Sequence, residues 1–371
     1  MCHRMMLMTA ASAGIIGLAI STPARLSAQS AADTTGPYRV TMEEDPSLPN
    51  HTVYRPADLD TVRGTLPIVA FGNGACANAG NAFERYLAEI ASHGFLVVAN
   101  GPISNAALPA GRPGPPGATV GGGRAGTPAA PGAVLGAAPA MAPPGATGEA
   151  ARGAAPTPPG AGRGDGRGRG GPGSSVDQLY ETVDWAHRQH AASASRYRGK
   201  LAVDKIAVAG QSCGGLQALE AAGDPRVATA VIFNSGIIRG GGRPGGAPGQ
   251  PAAPGAEPGR AAGGALAITP AILTKLHTPL IYIIGGPSDI AYANAESDFA
   301  EIDKVPVFKA NLDVGHNGTL YEPHGGKFAE VATQWFLWQL KGDAKAAALF
   351  KGDPCGLCTA PEWKTERKNW K

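Results

Sequence analysis

Residues 205–223, KIAVAGQSCGGLQALEAAG, constrain the fold more than any other part of the chain. An apolar run with no polar alternation, KIAVA, passes directly into a glycine turn and then into a helix-forming segment. A strand apolar on both faces must be covered on both faces. A strand that turns at once into a helix therefore predicts a mostly parallel sheet with helices on either side.

The rest of the chain repeats this alternation. LPIVAFGNG reads as a strand ending in glycines, NAFERYLAEIASHG as an amphipathic helix closed by Gly94, and FLVVANGP as a second continuous strand. SSVDQLYETVDWAHRQHA is a helix with Ser174 or Ser175 as N-cap. Beyond the glycine turn come the strand VATAVIFNSG, the helix PAILTKLH, the strand PLIYIIGG, the helix AYANAESDFAEI, the strand VPVFKANLD and the long helix GKFAEVATQWFLWQLKG. Upstream, PYRVTMEED and HTVYRPADL are expected to pair as an antiparallel edge hairpin. The fold class is thus α/β: one domain over residues 37–371.

Two tracts break the pattern, at residues 106–173 and 239–264, and most of the 54 glycines and 33 prolines gather there. Neither has a periodic apolar face to bury, so both are expected to be disordered insertions. The Arg-Gly repeats of GRGDGRGRGG are few, and a net charge of +3 with 16% charged residues sets up no strong field, so no nucleic-acid partner is expected. Residues 1–28 begin with His3 and Arg4, run apolar to about Ile20 and end in small residues, the outline of a cleavable export leader. The apolar run is shorter than the ~20 residues of a spanning helix, so no stable membrane span is expected, and the location is secreted or periplasmic. Export leaves Cys76, Cys213, Cys355 and Cys358 in an oxidising compartment, which permits two disulfides.

A serine hydroxyl is a weak nucleophile unless it is exposed, oriented and beside a base. Gly210-Gln211-Ser212-Cys213-Gly214 has the Gly-x-Ser-x-Gly spacing between a strand and a helix, where small neighbours let a tight turn raise the serine. Cys213 as nucleophile would need glycine two residues earlier, where Gln211 stands; the register favours Ser212. In such sheets the acid and the base follow on loops after later strands. Asp289 follows PLIYIIGG and His316 follows VPVFKANLD, with Asp313 as rival acid and His324 as rival base. The oxyanion donors expected are the backbone N–H of Cys213 and one from GNGACAN, at Cys76 or Ala75. Those two loops must converge on one oxygen, so Cys76 and Cys213 are expected to form a disulfide; the alternative is two buried free thiols. Cys355 and Cys358 would then pair with each other as a structural staple.

The stretches IASHGFLVVAN, YRGKLAVDKIAVAGQSCGG, DPRVATAVIFNSG, TPLIYIIGGPSD and VGHNGT together resemble the α/β-hydrolase superfamily. The likeness is to its compact branch of dienelactone hydrolases, platelet-activating-factor acetylhydrolase-like enzymes and cutinase-type polyester hydrolases. It implies a carboxylester hydrolase using Ser212, His316 and Asp289, with no cofactor and no separate lid domain, acting on a small or polymeric ester; no metal ligand is singled out, and metal binding is not set by these residues. Dienelactone hydrolases carry Cys where this chain has Ser212, and polyester hydrolases usually carry Met where it has Cys213 and an aromatic residue near Asn234. An acyltransferase or a peptidase would use the same triad, and a surface-binding module could keep the fold without the chemistry. Acyl and alcohol groups and oligomeric state are not set by these residues.

Overall fold

A computed structural model describes residues 29–30, 33–105, 173–239 and 268–370. The expected leader and the two Gly/Pro tracts lie outside the described residues, apart from Gly173 and Arg239 at their ends. All the described residues belong to one compact unit.

The strands are β1 (Gln29–Ser30), β2 (Val40–Glu43), β3 (His51–Pro56), β4 (Leu66–Gly72), β5 (Leu96–Asn100), β6 (Leu201–Gln211), β7 (Val227–Phe233), β8 (Leu280–Ile284), β9 (Val307–Asn311) and β10 (Lys364–Lys368). They form one sheet in the order β1-β2-β3-β5-β4-β6-β7-β8-β9-β10. The six central strands, β5 to β9 across the sheet, are parallel, and the outer pairings are antiparallel. The helices are α1 (Glu84–Ser92), α2 (Val176–Ala191), α3 (Cys213–Ala221), α4 (Tyr292–Glu301), α5 (Gly326–Lys341) and α6 (Ala344–Ala347).

Side chains on successive strand residues point to opposite faces, and here both faces are apolar. Val231 and Phe233 of β7 and Ile281 and Ile283 of β8 meet Tyr86 and Leu87 of α1 and Phe328 and Trp335 of α5. Their neighbours Ile232, Tyr282 and Ile284 meet Ala218 and Leu219 of α3 and Ala295 of α4. Val183 and Trp185 of α2 cover Ile68, Leu96 and Val98 on that second side. Each such side chain, fully buried, contributes about 1.5–3 kcal/mol, which is why the continuous apolar runs become the inner strands.

Four details differ from the sequence-based expectation or sharpen it. PAILTKLH forms only a 3-10 helix, Pro270–Lys275, rather than an α-helix. The hairpin of β2 and β3 is antiparallel and attaches to the sheet through β3, which pairs with β5; the two-residue β1 adds outside β2. At the opposite edge β10, with the charged sequence KTERK, carries no apolar pattern that would signal a strand. Its place is explained by Lys309, which is wholly buried in β9 and bonds Glu296 of α4 at 2.5 Å and Glu366 of β10 at 2.7 Å. At the start of α2, Ser175 and Gln178 form a reciprocal capping box.

Candidate active site

The carboxyl ends of β4, β6, β8 and β9 bring Cys76, Ser212, Cys213, Asp289 and His316 to one end of the parallel strands. Ser212 sits between β6 and α3 with φ 53° and ψ −117°, a left-handed backbone that a residue with a Cβ rarely adopts. The turn is possible because its neighbours lack side chains. A Cβ on Gly210 would lie 2.1 Å from the Gly214 carbonyl oxygen, and one on Gly214 would lie 2.0 Å from that of Gly72. Ser212 N–H donates to the Phe233 carbonyl (3.0 Å), and Ser235 Oγ–H donates to the Ser212 carbonyl (2.7 Å). The serine is thereby locked to β7.

His316 lies 2.9 Å from Ser212 Oγ through Nε2 and 2.6 Å from Asp289 Oδ1 through Nδ1. With a carboxylate at Nδ1, the proton of a neutral imidazole belongs there, leaving Nε2 as the acceptor for the serine hydroxyl. Asp289 is 4% exposed. Burial alone would raise its pKa, but bonds from His316, the Ala291 N–H and Asn234, together with the charge of His316, outweigh it and hold the carboxyl below its ordinary value. The Gly285 N–H adds a further bond to Oδ2 at 3.2 Å.

The loop after β4 folds into a 3-10 turn, Gly74–Cys76, in which Ala75 (φ 54°) and Cys76 (φ 48°) are both left-handed. Cys76 is disulfide-bonded to Cys213, the residue after Ser212, with their Cα atoms 5.2 Å apart. The two segments expected to supply oxyanion donors are thus covalently joined. Cys355 and Cys358 form the second disulfide. Seven non-glycine residues among those described have positive φ, and Ala75, Cys76, Ser212 and Asn234 are four of them. Such conformations store about 1–3 kcal/mol each and persist only where surroundings enforce them; here they concentrate in the turns around one serine.

Two further residues join the cluster that the sequence did not single out for this purpose. Asn234, wholly buried at the end of β7, donates from Nδ2 to Asp289 Oδ2 (2.6 Å) and to the Gly315 carbonyl (3.2 Å). It therefore ties the acid to the loop carrying the histidine. Gly285 and Gly318 make room for it, since a Cβ on either would lie 2.9 Å and 3.0 Å from its amide. Gln211 donates from Nε2 to the His316 carbonyl (2.9 Å). An amide residue at the end of an inner strand (Gln211) or directly after one (Asn234) was the available signal. Neither rival joins the series: Asp313, after β9, accepts from Ser288 Oγ of the loop after β8 (2.7 Å), and His324 contacts the Asp33 carbonyl (3.0 Å).

Among the described residues, no group of three or more His, Cys, Asp or Glu is placed to hold a metal ion, and no helix is long and apolar enough to cross a membrane. No protein-family model matches the chain, and no curated protein is significantly similar to it.

Proposed function

We propose that the chain is an exported serine hydrolase of the α/β-hydrolase type that cleaves carboxylic esters through Ser212, His316 and Asp289. The observation that carries this reading is the hydrogen-bonded series from Ser212 Oγ through His316 to Asp289, at 2.9 and 2.6 Å, built on a left-handed serine. His316 Nε2 takes the serine proton as Oγ attacks the ester carbonyl, and Asp289 steadies the imidazolium that results. The N–H groups of Cys213 and of Ala75 or Cys76 receive the oxyanion. Collapse expels the alcohol with the proton from His316, and water then releases the acid by the same steps in reverse. Every proton is supplied and recovered by these residues, so the reaction written this way requires no cofactor.

Export is supported by the leader-like residues 1–28 and by two disulfides, which persist in oxidising compartments. The test is release of nitrophenol from short and medium acyl esters, with Ser212→Ala as control. Turnover should fall by roughly 10³-fold or more in a variant whose circular dichroism is unchanged. Equal turnover in both proteins, or no labelling of Ser212 by a fluorophosphonate, would sink the proposal.

A further inference from the structure

The bond between Cys76 and Cys213 is chemically lopsided. Cys76 is 4% exposed, beneath its turn, whereas Cys213 is half-buried beside the equally half-buried Ser212. Gln217, wholly buried on α3, aims Nε2–H at Cys76 Sγ from 3.3 Å. Gln217 is itself held by Asn100 Nδ2 (3.2 Å) and by the Ser174 carbonyl (2.9 Å). In thiol–disulfide exchange the accessible sulfur is attacked, and the other leaves faster when its thiolate is stabilised. Both conditions point the same way here.

We propose that this disulfide is a modification site for low-molecular-weight thiols, and that its opening switches the site off; the second half rests on the esterase reading above. A thiolate attacks Cys213 Sγ, a new S–S bond forms there, and the Cys76–Cys213 bond breaks. Its electron pair goes to Cys76, which leaves as a thiolate against the Gln217 amide and then takes a proton from water. The incoming thiol sulfur is oxidised and the Cys76 sulfur is reduced, so the exchange balances. Two consequences follow for catalysis. The adduct stands on the residue next to Ser212, and the left-handed pair Ala75 and Cys76 loses the covalent tie that holds it against α3. Hydrogen bonds from Ser174 N–H to the Cys76 carbonyl (2.8 Å), from Ala77 N–H to the Gly74 carbonyl (3.0 Å) and from Asn73 Nδ2 to the Ala77 carbonyl (3.1 Å) remain, but none of them ties the turn to α3.

The test treats the full chain, and a Cys355→Ser/Cys358→Ser variant, with reduced glutathione, blocks free thiols with a maleimide, and maps both proteins by mass spectrometry beside nitrophenyl ester turnover. Glutathione is expected on Cys213 and maleimide on Cys76, with turnover lowered about 10²-fold or more, as for loss of an oxyanion donor. In a sample not blocked with maleimide, turnover should return when thiol is removed, as the Cys76 thiolate attacks the Cys213 mixed disulfide, re-forms the bond and releases glutathione. In a folded Gln217→Met variant, exchange should be several-fold slower. Glutathione on Cys76 instead, or a Cys76–Cys213 bond that survives thiol concentrations opening Cys355–Cys358, overturns the assignment. Adduct formation with unchanged turnover overturns the switch. An untreated protein with no turnover on any ester counts against the esterase reading alone, and the mapping still decides the exchange.

Discussion

The two disulfides use the same chemistry at opposite scales. Cys76–Cys213 joins residues 137 apart and links the turns after β4 and β6, two inner strands of the sheet. Cys355–Cys358 closes a loop between residues three apart, near the charged edge strand β10. By loop-closure entropy the first restricts the unfolded chain by roughly 5 kcal/mol and the second by roughly 2 kcal/mol. The larger difference is in what each bond holds. The first restrains a strained turn beside the candidate nucleophile, and the second restrains a local turn that sets Cys355 and Leu357 into the core far along the chain from Ser212.

That contrast sets the largest expected effect. Cys76→Ser with Cys213→Ser should lower kcat for a nitrophenyl ester by about 10²–10³-fold, the loss associated with one oxyanion donor. It should also lower Tm by more than the other pair does. Cys355→Ser with Cys358→Ser should shift Tm by a few degrees and leave kcat unchanged. Equal effects of the two pairs on kcat would mean that the first bond is only a staple.

Next in size is the tie supplied by Asn234. Asn234→Leu removes a donor from Asp289 and releases the Gly315 carbonyl, and kcat should drop roughly 10–10²-fold, less than the ~10²–10⁴-fold of losing general acid–base catalysis outright, because His316 and Asp289 both remain. The sign of its pH effect follows from the carboxylate. Asp289 is held below its ordinary pKa in the folded protein, so the stability it contributes is present above the unfolded value of about 3.9. That stability is lost as pH falls through the lower folded value. With one donor gone the folded value rises, and the acid end of a Tm-against-pH curve should move to higher pH in Asn234→Leu. An unmoved acid end would remove Asn234 from the role of positioning Asp289. Gln211→Leu acts one step further away, through the His316 backbone, and should cost only a few-fold in kcat.

These residues also mark how far the sequence could be read. The inner strands were legible because burial on both faces leaves runs such as LIYII with no polar alternation. Ser212, Asp289 and His316 were legible as neighbours because a parallel sheet delivers all its strand ends to one edge. Cys76 and Cys213 could be paired for the same reason. Asn234 could not be assigned its bonds, since they depend on two loops, at 285–289 and 315–318, that lie more than fifty residues later in the chain. In isolation NSG reads only as a turn. β10 was illegible because its pairing rests on the match of Glu366 to one buried lysine, Lys309, and not on a hydrophobic period.

A tie can also cross the chain without reaching the site, and Lys341 is such a case. From the end of α5 its Nζ donates to the carbonyls of His93 (2.8 Å) and Gly94 (2.9 Å), 248 and 247 residues away, and lies 4.4 Å over the Phe95 ring. Cations at a helix C-terminus satisfy its last carbonyls, which explains why the amine is there. Burial lowers its pKa from 10.5 to about 8. A lysine depressed in the folded state makes the unfolded chain the stronger proton binder between those two values, so its contribution to stability rises with pH across that window. Lys341→Met removes the titration, and the Tm of the variant relative to the parent should therefore fall between pH 8 and 10.5. Ester turnover at fixed pH should be unchanged, because neither helix end touches Ser212, His316 or Asp289. If kcat fell as it is expected to in the Cys76/Cys213 variant, sequence-distant ties in general would be responsible for the effect, and the disulfide would lose its special claim on the oxyanion turn.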